Sequence, residues 1–367
     1  MNRTLRNTIA AGIAGGMMLT GATSALGIAN GSGASFPNQA YSKWCADSKL
    51  CSYTSKGSTG GITDFVNGVT DFGASDAPLT STQLAALRRQ RGGANVLYFP
   101  TLLGGVTVPT NIDGVNKRLK LRGTTIAKIF KGDIDRWNHP EIRAANRGVS
   151  LPNESITRCV RADGSGTSFA FTSYLSKVYP QFRTSVGASQ RPNWPSNVSV
   201  VTGPKNPGVA KCVNDNDNSI GYVDTADARS AGLLDNATAV GKSQVVRRRV
   251  RSGGRTRIVR QRKIVYIAPF TKTISRAGNV RLRRNQPLNV SLTNSSAPGA
   301  YPITTTTWVL VYSDFARAGK AGSKNDVLRT LRYFYSARAQ RDLPKLQFAP
   351  LPANLRAAAL AQLNRVR

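Results

Sequence analysis

Arg161-Ala162-Asp163-Gly164-Ser165-Gly166-Thr167 runs straight into Ser168-Phe169-Ala170-Phe171. A fixed cation, small residues and hydroxyls thus lead directly into a helical stretch. The first N–H groups of a helix lack intrahelical partners, and the helix dipole adds partial positive charge there. Glycine lets the backbone approach a ligand closely, and Ser or Thr adds a hydroxyl donor. Arg161 contributes a planar fork of donors that matches an oxyanion. The stretch reads as an anion site at a helix start.

Two similar junctions lie upstream. Gly31-Ser32-Gly33-Ala34-Ser35-Phe36-Pro37 precedes a helix carrying Tyr41 and Trp44, and Gly57-Ser58-Thr59-Gly60-Gly61 leads into Ile62 to Val66. Taken singly, a Ser/Gly helix start is usually an ordinary cap. Three in one chain, one with an arginine, point to an anion. A fourth element, Asp71-Phe72-Gly73-Ala74-Ser75-Asp76, ends in a carboxylate that would repel one. Asp76 belongs there only if the ligand carries a proton to donate. Monohydrogen phosphate carries one at neutral pH and sulfate does not, so this residue would discriminate between them.

Around these loops, short apolar strands alternate with helical stretches, the pattern of an α/β protein. Helices are expected at Asn38 to Asp47, Thr63 to Asn67, Ser81 to Arg91, Thr125 to Phe130, Ser168 to Lys177 and Ser323 to Ala337. Strands are expected at Ala94 to Phe99, Gly105 to Pro109, Ser155 to Val160, Ile220 to Val223 and Thr306 to Tyr312. No internal repeat is visible.

The chain has 367 residues, enough for two domains that each bury a core. Its formal net charge is +33, which ordinarily argues for a polyanionic partner. Yet 35 of the 51 basic residues are Arg and 16 of the 18 acids are Asp, a one-sidedness that genome composition alone can produce, so the charge decides nothing by itself. Part of it is concentrated: Asn236 to Ser313 holds no acid, and Val245 to Ile267 alternates Val/Ile with Arg around Ser252-Gly253-Gly254. That period of two around a glycine turn predicts a β-hairpin, with Arg247, Arg249, Arg251, Arg255 and Arg257 on its face. Such arginines either protect an exposed edge from aggregation or contact a polyanion; Tyr266 and Phe270 offer little stacking surface, which favours the first reading.

The N-terminus carries Arg3 and Arg6 and then runs uncharged from Thr8 to Ala29, with small residues at Ala22, Ala25 and Ala29. This reads as a signal peptide over residues 1–29, with a membrane anchor as its rival; no cysteine lies near the cut to hold a lipid. Export fits the four cysteines. Cys45 and Cys51 are close enough to close a local loop, which leaves Cys159 with Cys212, although four cysteines allow three connectivities. A metal site is the alternative, weakened by the absence of CxxC and by a single histidine, His139. One histidine also removes most arrangements that need an imidazole base. The Asp-Phe-Gly at Asp71 stands without the other kinase motifs, and neither GxSxG nor a Walker A sequence occurs.

These motifs together resemble the PstS family, the phosphate-binding proteins of bacterial phosphate ABC transporters. The likeness runs from Gly31–Pro37 through Gly73-Ala74-Ser75-Asp76-Ala77-Pro78-Leu79 and Ile129-Phe130-Lys131-Gly132-Asp133-Ile134-Asp135-Arg136-Trp137. It continues through Arg161–Ser168, Ile220-Gly221-Tyr222-Val223 and Tyr301-Pro302-Ile303-Thr304. The resemblance implies an α/β type II periplasmic binding protein fold, two lobes joined by two hinge strands with a ligand cleft between them. Hinges would fall near Leu102 to Val106 and Tyr301 to Thr306, giving one lobe of residues 30–103 plus 304–367 and a second of 104–303. It also implies phosphate ligands at Ser35, Phe36, Ser58, Asp76, Arg161, Asp163, Ser165, Gly166 and Thr167. Arg161 would pair with the dianion, Asp163 would orient Arg161, and Asp76 would accept the ligand's proton. The implied protein is an exported monomer, periplasmic or at the cell surface, that hands inorganic phosphate to a permease. It would use no cofactor or catalytic residue, and no nucleic acid is expected. Ser35 stands where Thr is common, and the acid-free arginine hairpin has no counterpart in the typical family member. A polyanion-binding surface protein and a phosphatase-like relative are the competing readings.

Overall fold

The computed structural model describes residues 27–252, 255–283 and 286–367. The expected signal peptide, but for its last three residues, lies outside these, as do two residues of the expected hairpin turn. The strands in chain order are β1 (Ala29–Gly33), β2 (Cys51–Ser55), β3 (Phe72–Ser75), β4 (Val96–Thr107), β5 (Thr110–Asn111), β6 (Lys120–Arg122) and β7 (Thr157–Arg161). They continue with β8 (Val200–Gly203), β9 (Ser219–Gly221), β10 (Val223–Asp224), β11 (Ala239–Ser252), β12 (Arg255–Ile267) and β13 (Thr304–Tyr312).

A six-stranded sheet has the order β10-β4-β13-β3-β1-β2, and a four-stranded sheet the order β5-β9-β7-β8. Within each, a parallel set carries the helix-opening loops: β1 lies parallel to β2 and β3, and β7 parallel to β8 and β9. Helices follow the parallel strands, the α/β arrangement that the alternation predicts. The ends of the chain and its middle meet on the first sheet. β4 and β13 pair over nine register positions, and β10 adds to the β4 edge through Asp224 opposite Val106.

Sequence pattern places two strands at Ala94 to Phe99 and Gly105 to Pro109, separated by Pro100 and a glycine pair. The chain instead forms one long β4. Proline cannot donate to a ladder, but the register slips opposite it, with Trp308 facing Pro100 and Thr307 facing Leu102. The residue left over, Thr101, turns its hydroxyl to the Thr307 carbonyl at 3.1 Å. The helix expected from Ser323 to Ala337 also divides, into Lys324–Phe334 and Ala337–Asp342, because Ser336 leaves the helix and caps the second part through the Ala339 N–H.

The alternation beginning at Val245 does form an antiparallel hairpin, longer than expected, with β11 and β12 paired from Val240–Ile267 out to Ser252–Arg255. The register corrects the expected arginine face. Arg247, Arg249 and Arg251 share one face and stand opposite Arg260, Ile258 and Thr256, whereas Arg257 stands opposite Val250 on the other. β6 joins β11 to complete a three-stranded sheet at the hairpin's base. No described helix is long and apolar enough to cross a membrane.

Both disulfides join a strand to a helix. Cys45–Cys51 ties the helix Asn38–Ser48 to β2, and Cys159–Cys212 ties β7 to the helix Lys205–Asp215. The second closes the longer loop, with a sequence separation of 53 against 6. Loop-closure entropy assigns it about 4 kcal/mol and the first about 2 kcal/mol. Cys159→Ser/Cys212→Ser is therefore expected to lower the thermal midpoint more than Cys45→Ser/Cys51→Ser, as read by calorimetric melts of both double variants. The reverse order would mean that the loop-entropy account is wrong for this chain.

Candidate functional site

Parallel strands bring their C-terminal ends to one edge, and the loops that leave that edge share a crevice. In the first sheet those loops carry Ser35 and Phe36 after β1, Ser58 after β2 and Asp76 after β3. In the second, β7 ends at Arg161 and leads to Asp163, Ser165, Gly166 and Thr167. The two edges touch. Thr59 donates its N–H to the Gly164 carbonyl at 3.2 Å and its hydroxyl to Gln190 Oε1 at 2.9 Å. A Cβ on Gly166 would overlap the Ser58 hydroxyl and lie 2.7 Å from the Asp76 carboxylate. Only glycine allows that approach.

The helix Gly166–Val178 starts at this contact. Ser165 caps it, its Oγ accepting from the Ser168 N–H at 3.1 Å, which leaves the Ser165 proton free to donate. Thr167 and Ser35 are buried, and neither hydroxyl has a hydrogen-bond partner among the described residues. Buried hydroxyls without partners are costly, so two of them flanking one crevice mark a place where an acceptor belongs. The Phe36 ring is buried, 5.9 Å from that of Phe348, and anchors the loop that carries Ser35. Ser58 accepts from the Asp76 N–H at 3.3 Å. The helix expected from Thr63 begins earlier, at Gly57, so Ser58 sits in its first turn.

Arg161 is the fixed cation of the crevice, its side chain 1% exposed. Nε donates to Asp163 Oδ1 at 2.8 Å and Nη2 to Asp163 Oδ2 at 2.5 Å, a bidentate fork. Nη1 donates to Asn206 Oδ1 at 2.8 Å, and Asn206 in turn donates to Asp224 Oδ2 at 2.6 Å. Three of its five N–H donors are thereby used, which orients the guanidinium and leaves two for a ligand. Burial raises the Asp163 carboxyl, but the fork to Arg161 overcomes this and holds it below the usual carboxylate range. The Lys205 N–H also donates to Asp163, at 2.9 Å. Tyr222 fixes the strand end, its hydroxyl accepting from the Arg161 N–H at 3.2 Å and bonding Ser168 Oγ at 2.8 Å.

Asp76 is buried at the centre. Burial pushes its carboxyl up to about 7, against the Thr307 hydroxyl, the Arg161 charge and Ser58, all of which pull it down. Thr307 donates directly to Asp76 Oδ1. A carboxyl balanced in this way is partly ionised near neutral pH, and in that form it accepts a hydrogen bond from a ligand that carries an O–H.

Thr307, Asn206, Asp224 and Tyr222 are the positioning residues that the loops alone do not disclose. The other candidate motifs have structural work. Asp71 of Asp-Phe-Gly accepts from the Asn30 N–H at 2.9 Å and from Ser323 at 2.6 Å. His139 caps the helix Pro140–Ala145. No cluster of His, Cys, Asp or Glu suited to a metal occurs among the described residues.

A family model described as the PBP superfamily domain matches residues 18–323. The phosphate-binding protein PstS of Xylella fastidiosa strain Temecula1 is 32% identical over 333 residues, covering 89% of this chain and 82% of that protein. The PstS of Haemophilus influenzae is 31% identical over 334 residues, covering 89% of each. Among solved structures, the ancestral soluble variant of the human phosphate binding protein gives a TM-score of 0.70 at 19% identity, over 92% of this chain and 94% of that one. The periplasmic phosphate-binding protein PfluDING gives 0.68 at 21% identity with the same coverage. Those two share the two-lobed periplasmic binding protein fold. The chain belongs to the PstS family of phosphate-binding proteins.

Proposed function

We propose that this exported protein captures inorganic phosphate between two lobes, residues 30–103 plus 304–367 and residues 104–303, and delivers it to an ABC transporter permease. The observation that carries this reading is the set of unspent groups around one crevice. Two buried hydroxyls lack partners, Arg161 keeps two donors free, and a raised carboxyl stands beside them. Ser35, Ser58, Ser165 and Thr167 would donate hydroxyls, and the first N–H groups of the helix Gly166–Val178 would join them. Asp76 would accept a hydrogen bond from the ligand's O–H. The hinges would lie where β4 and β13 run side by side, near Leu102 to Val106 and Tyr301 to Thr306.

The role is binding rather than catalysis. Asp163 is held by Arg161 and a backbone N–H, the one histidine serves as a helix cap, and the remaining carboxyl, Asp76, is committed to Thr307 and to the ligand's O–H. Titration calorimetry of the mature protein should show tight binding of phosphate and none of sulfate. Equal affinity for both would overturn the role given to Asp76, and no binding of phosphate would overturn the reading itself.

Gly166→Ala tests lobe closure. Gly166 has ordinary helical backbone, so the helix itself accepts alanine and the cost falls on the contact with Ser58 and Asp76. The methyl would wedge Ser58 and Asp76 away from the helix. An overpacking cost of about 1–3 kcal/mol corresponds to a roughly 5- to 150-fold loss of phosphate affinity. Unchanged affinity would show that the two edges do not meet around the ligand.

A further inference from the structure

A groove of about 720 Å³ opens at the base of the hairpin, lined by Arg122, Lys177, Lys242 and Arg262 and by no carboxylate. Lys177 donates to Ser291 Oγ at 2.8 Å and to Thr293 Oγ1 at 2.7 Å, and Lys242 donates to the Ser295 carbonyl. Neither ammonium meets an acid, and burial pulls both pKa values down. The helix Gly123–Lys131 points its N-terminus into the groove, and its N-cap residue Arg122 offers no side-chain acceptor. Over that first turn sits the hydroxyl of Tyr174, so close that a Cβ on Gly123 would overlap it. Tyr174 is 1% exposed and its hydroxyl makes no hydrogen bond among the described residues. Four cations, a helix start and the groove-lining hydroxyl of Tyr174 therefore converge on space that can hold an anion.

The groove's lining reaches Val245 and Arg262, and the hairpin continues beyond them. Along the hairpin, Arg247 stands directly opposite Arg260, and Arg249 and Arg251 extend the same face. Like charges directly opposed across strands are destabilising, and no described hairpin residue forms a salt bridge. Thirteen or fourteen residues of strand span about 45 Å, the length of a chain rather than of a single ion. The composition narrows the kind of chain. Exposed Val245, Ile258, Val259 and Ile264 alternate with arginines on both faces, so neither face forms an apolar strip for a lipid surface. Tyr266 is the one aromatic residue of the two strands, too little for stacking successive bases.

We propose that the groove and the hairpin form one track for linear inorganic polyphosphate, with a terminal phosphate in the groove and inner phosphates along the arginines. Arginine forks suit phosphate oxygens, and the helix start suits the doubly charged chain end. This site is separate from the cleft, although the helix Gly166–Val178 joins them, with Gly166 at one end and Tyr174 and Lys177 towards the other. It stands whether or not the cleft takes orthophosphate.

The test is titration of the mature chain with polyphosphate at several salt concentrations, with orthophosphate titrated into the same samples. Binding should weaken steeply with salt, by about 0.7 decade per decade of salt for each ion pair released. Arg247→Gln/Arg249→Gln/Arg260→Gln should lose at least tenfold in polyphosphate affinity and leave orthophosphate binding unchanged. Tyr174→Phe should lose severalfold, with thermal melts showing both variants folded. Polyphosphate affinity unaffected by the triple variant, or competition by orthophosphate at the cleft, would overturn the proposal. So would equal affinity for single-stranded DNA of matched charge, or binding confined to anionic phospholipid vesicles.

Discussion

Arg161→Ala is expected to reduce phosphate affinity by about two to four orders of magnitude. Breaking a buried, hydrogen-bonded charge pairing costs about 3–5 kcal/mol, and each 1.4 kcal/mol is a factor of ten. The side chain is nearly sealed from solvent, and its fork to Asp163 and bond to Asn206 leave it no rotamer freedom to lose on binding. A purely structural Arg161 predicts something different, a protein that melts lower yet binds normally. The two are separated by Arg161→Lys, which keeps the charge but cannot hold Asp163, Asn206 and a ligand at once. That variant should bind between parent and alanine. Calorimetric titrations paired with thermal melts supply the readout, and affinity within fivefold of the parent in Arg161→Ala would remove the residue from the site.

The loops were legible because each is a local event. A run of glycine and hydroxyl residues before a helix needs no knowledge of what packs against it, and Arg161 with Asp163 lies two residues apart. The α/β class was legible for the same reason, through strands and helices that alternate along the chain. What stayed hidden comes from afar. Thr307 reaches Asp76 across 231 positions, and Asn206 reaches Arg161 across 45. Gly60 and Gly61 delay the helix after β2 on propensity alone, yet a Cβ on Gly61 would overlap Gly33, so close packing of helix on strand overrides propensity there. On sequence pattern alone Pro100 divides β4, because the register slip that accommodates it is a property of the strand pair. The hairpin was readable from its period of two, but which arginines share a face depends on the turn, where one residue of register moves every side chain.

Replacing Asp76 has two separable consequences. Its carboxyl is raised by burial from an unfolded value near 3.9 to about 7 in the fold. The folded state therefore holds a proton that the unfolded state has lost. Stability from this group is fully present below about pH 4 and is lost as pH rises through 7, a total of about 4 kcal/mol. Asp76→Asn removes the titration, so the parent-minus-variant difference in unfolding free energy should fall across that window when denaturant midpoints are taken at several pH values. A flat difference would show that the carboxyl is ionised in the fold throughout. The second consequence is selectivity. An ionised Asp76 repels a fully deprotonated anion and accepts a hydrogen bond from the O–H of monohydrogen phosphate, whereas an amide at that position donates to either. Like charges set against one another cost several kcal/mol, so sulfate affinity should rise at least tenfold relative to phosphate in Asp76→Asn. Titration of the variant with both anions at pH 8, where the carboxylate of the parent is mostly ionised, makes the comparison, and an unchanged phosphate-to-sulfate ratio would assign the discrimination to some other group. Thr307→Val sharpens it further. Removing the hydroxyl that favours the charged carboxylate should move the stability loss to higher pH, a shift that mere loosening of the cleft would not produce.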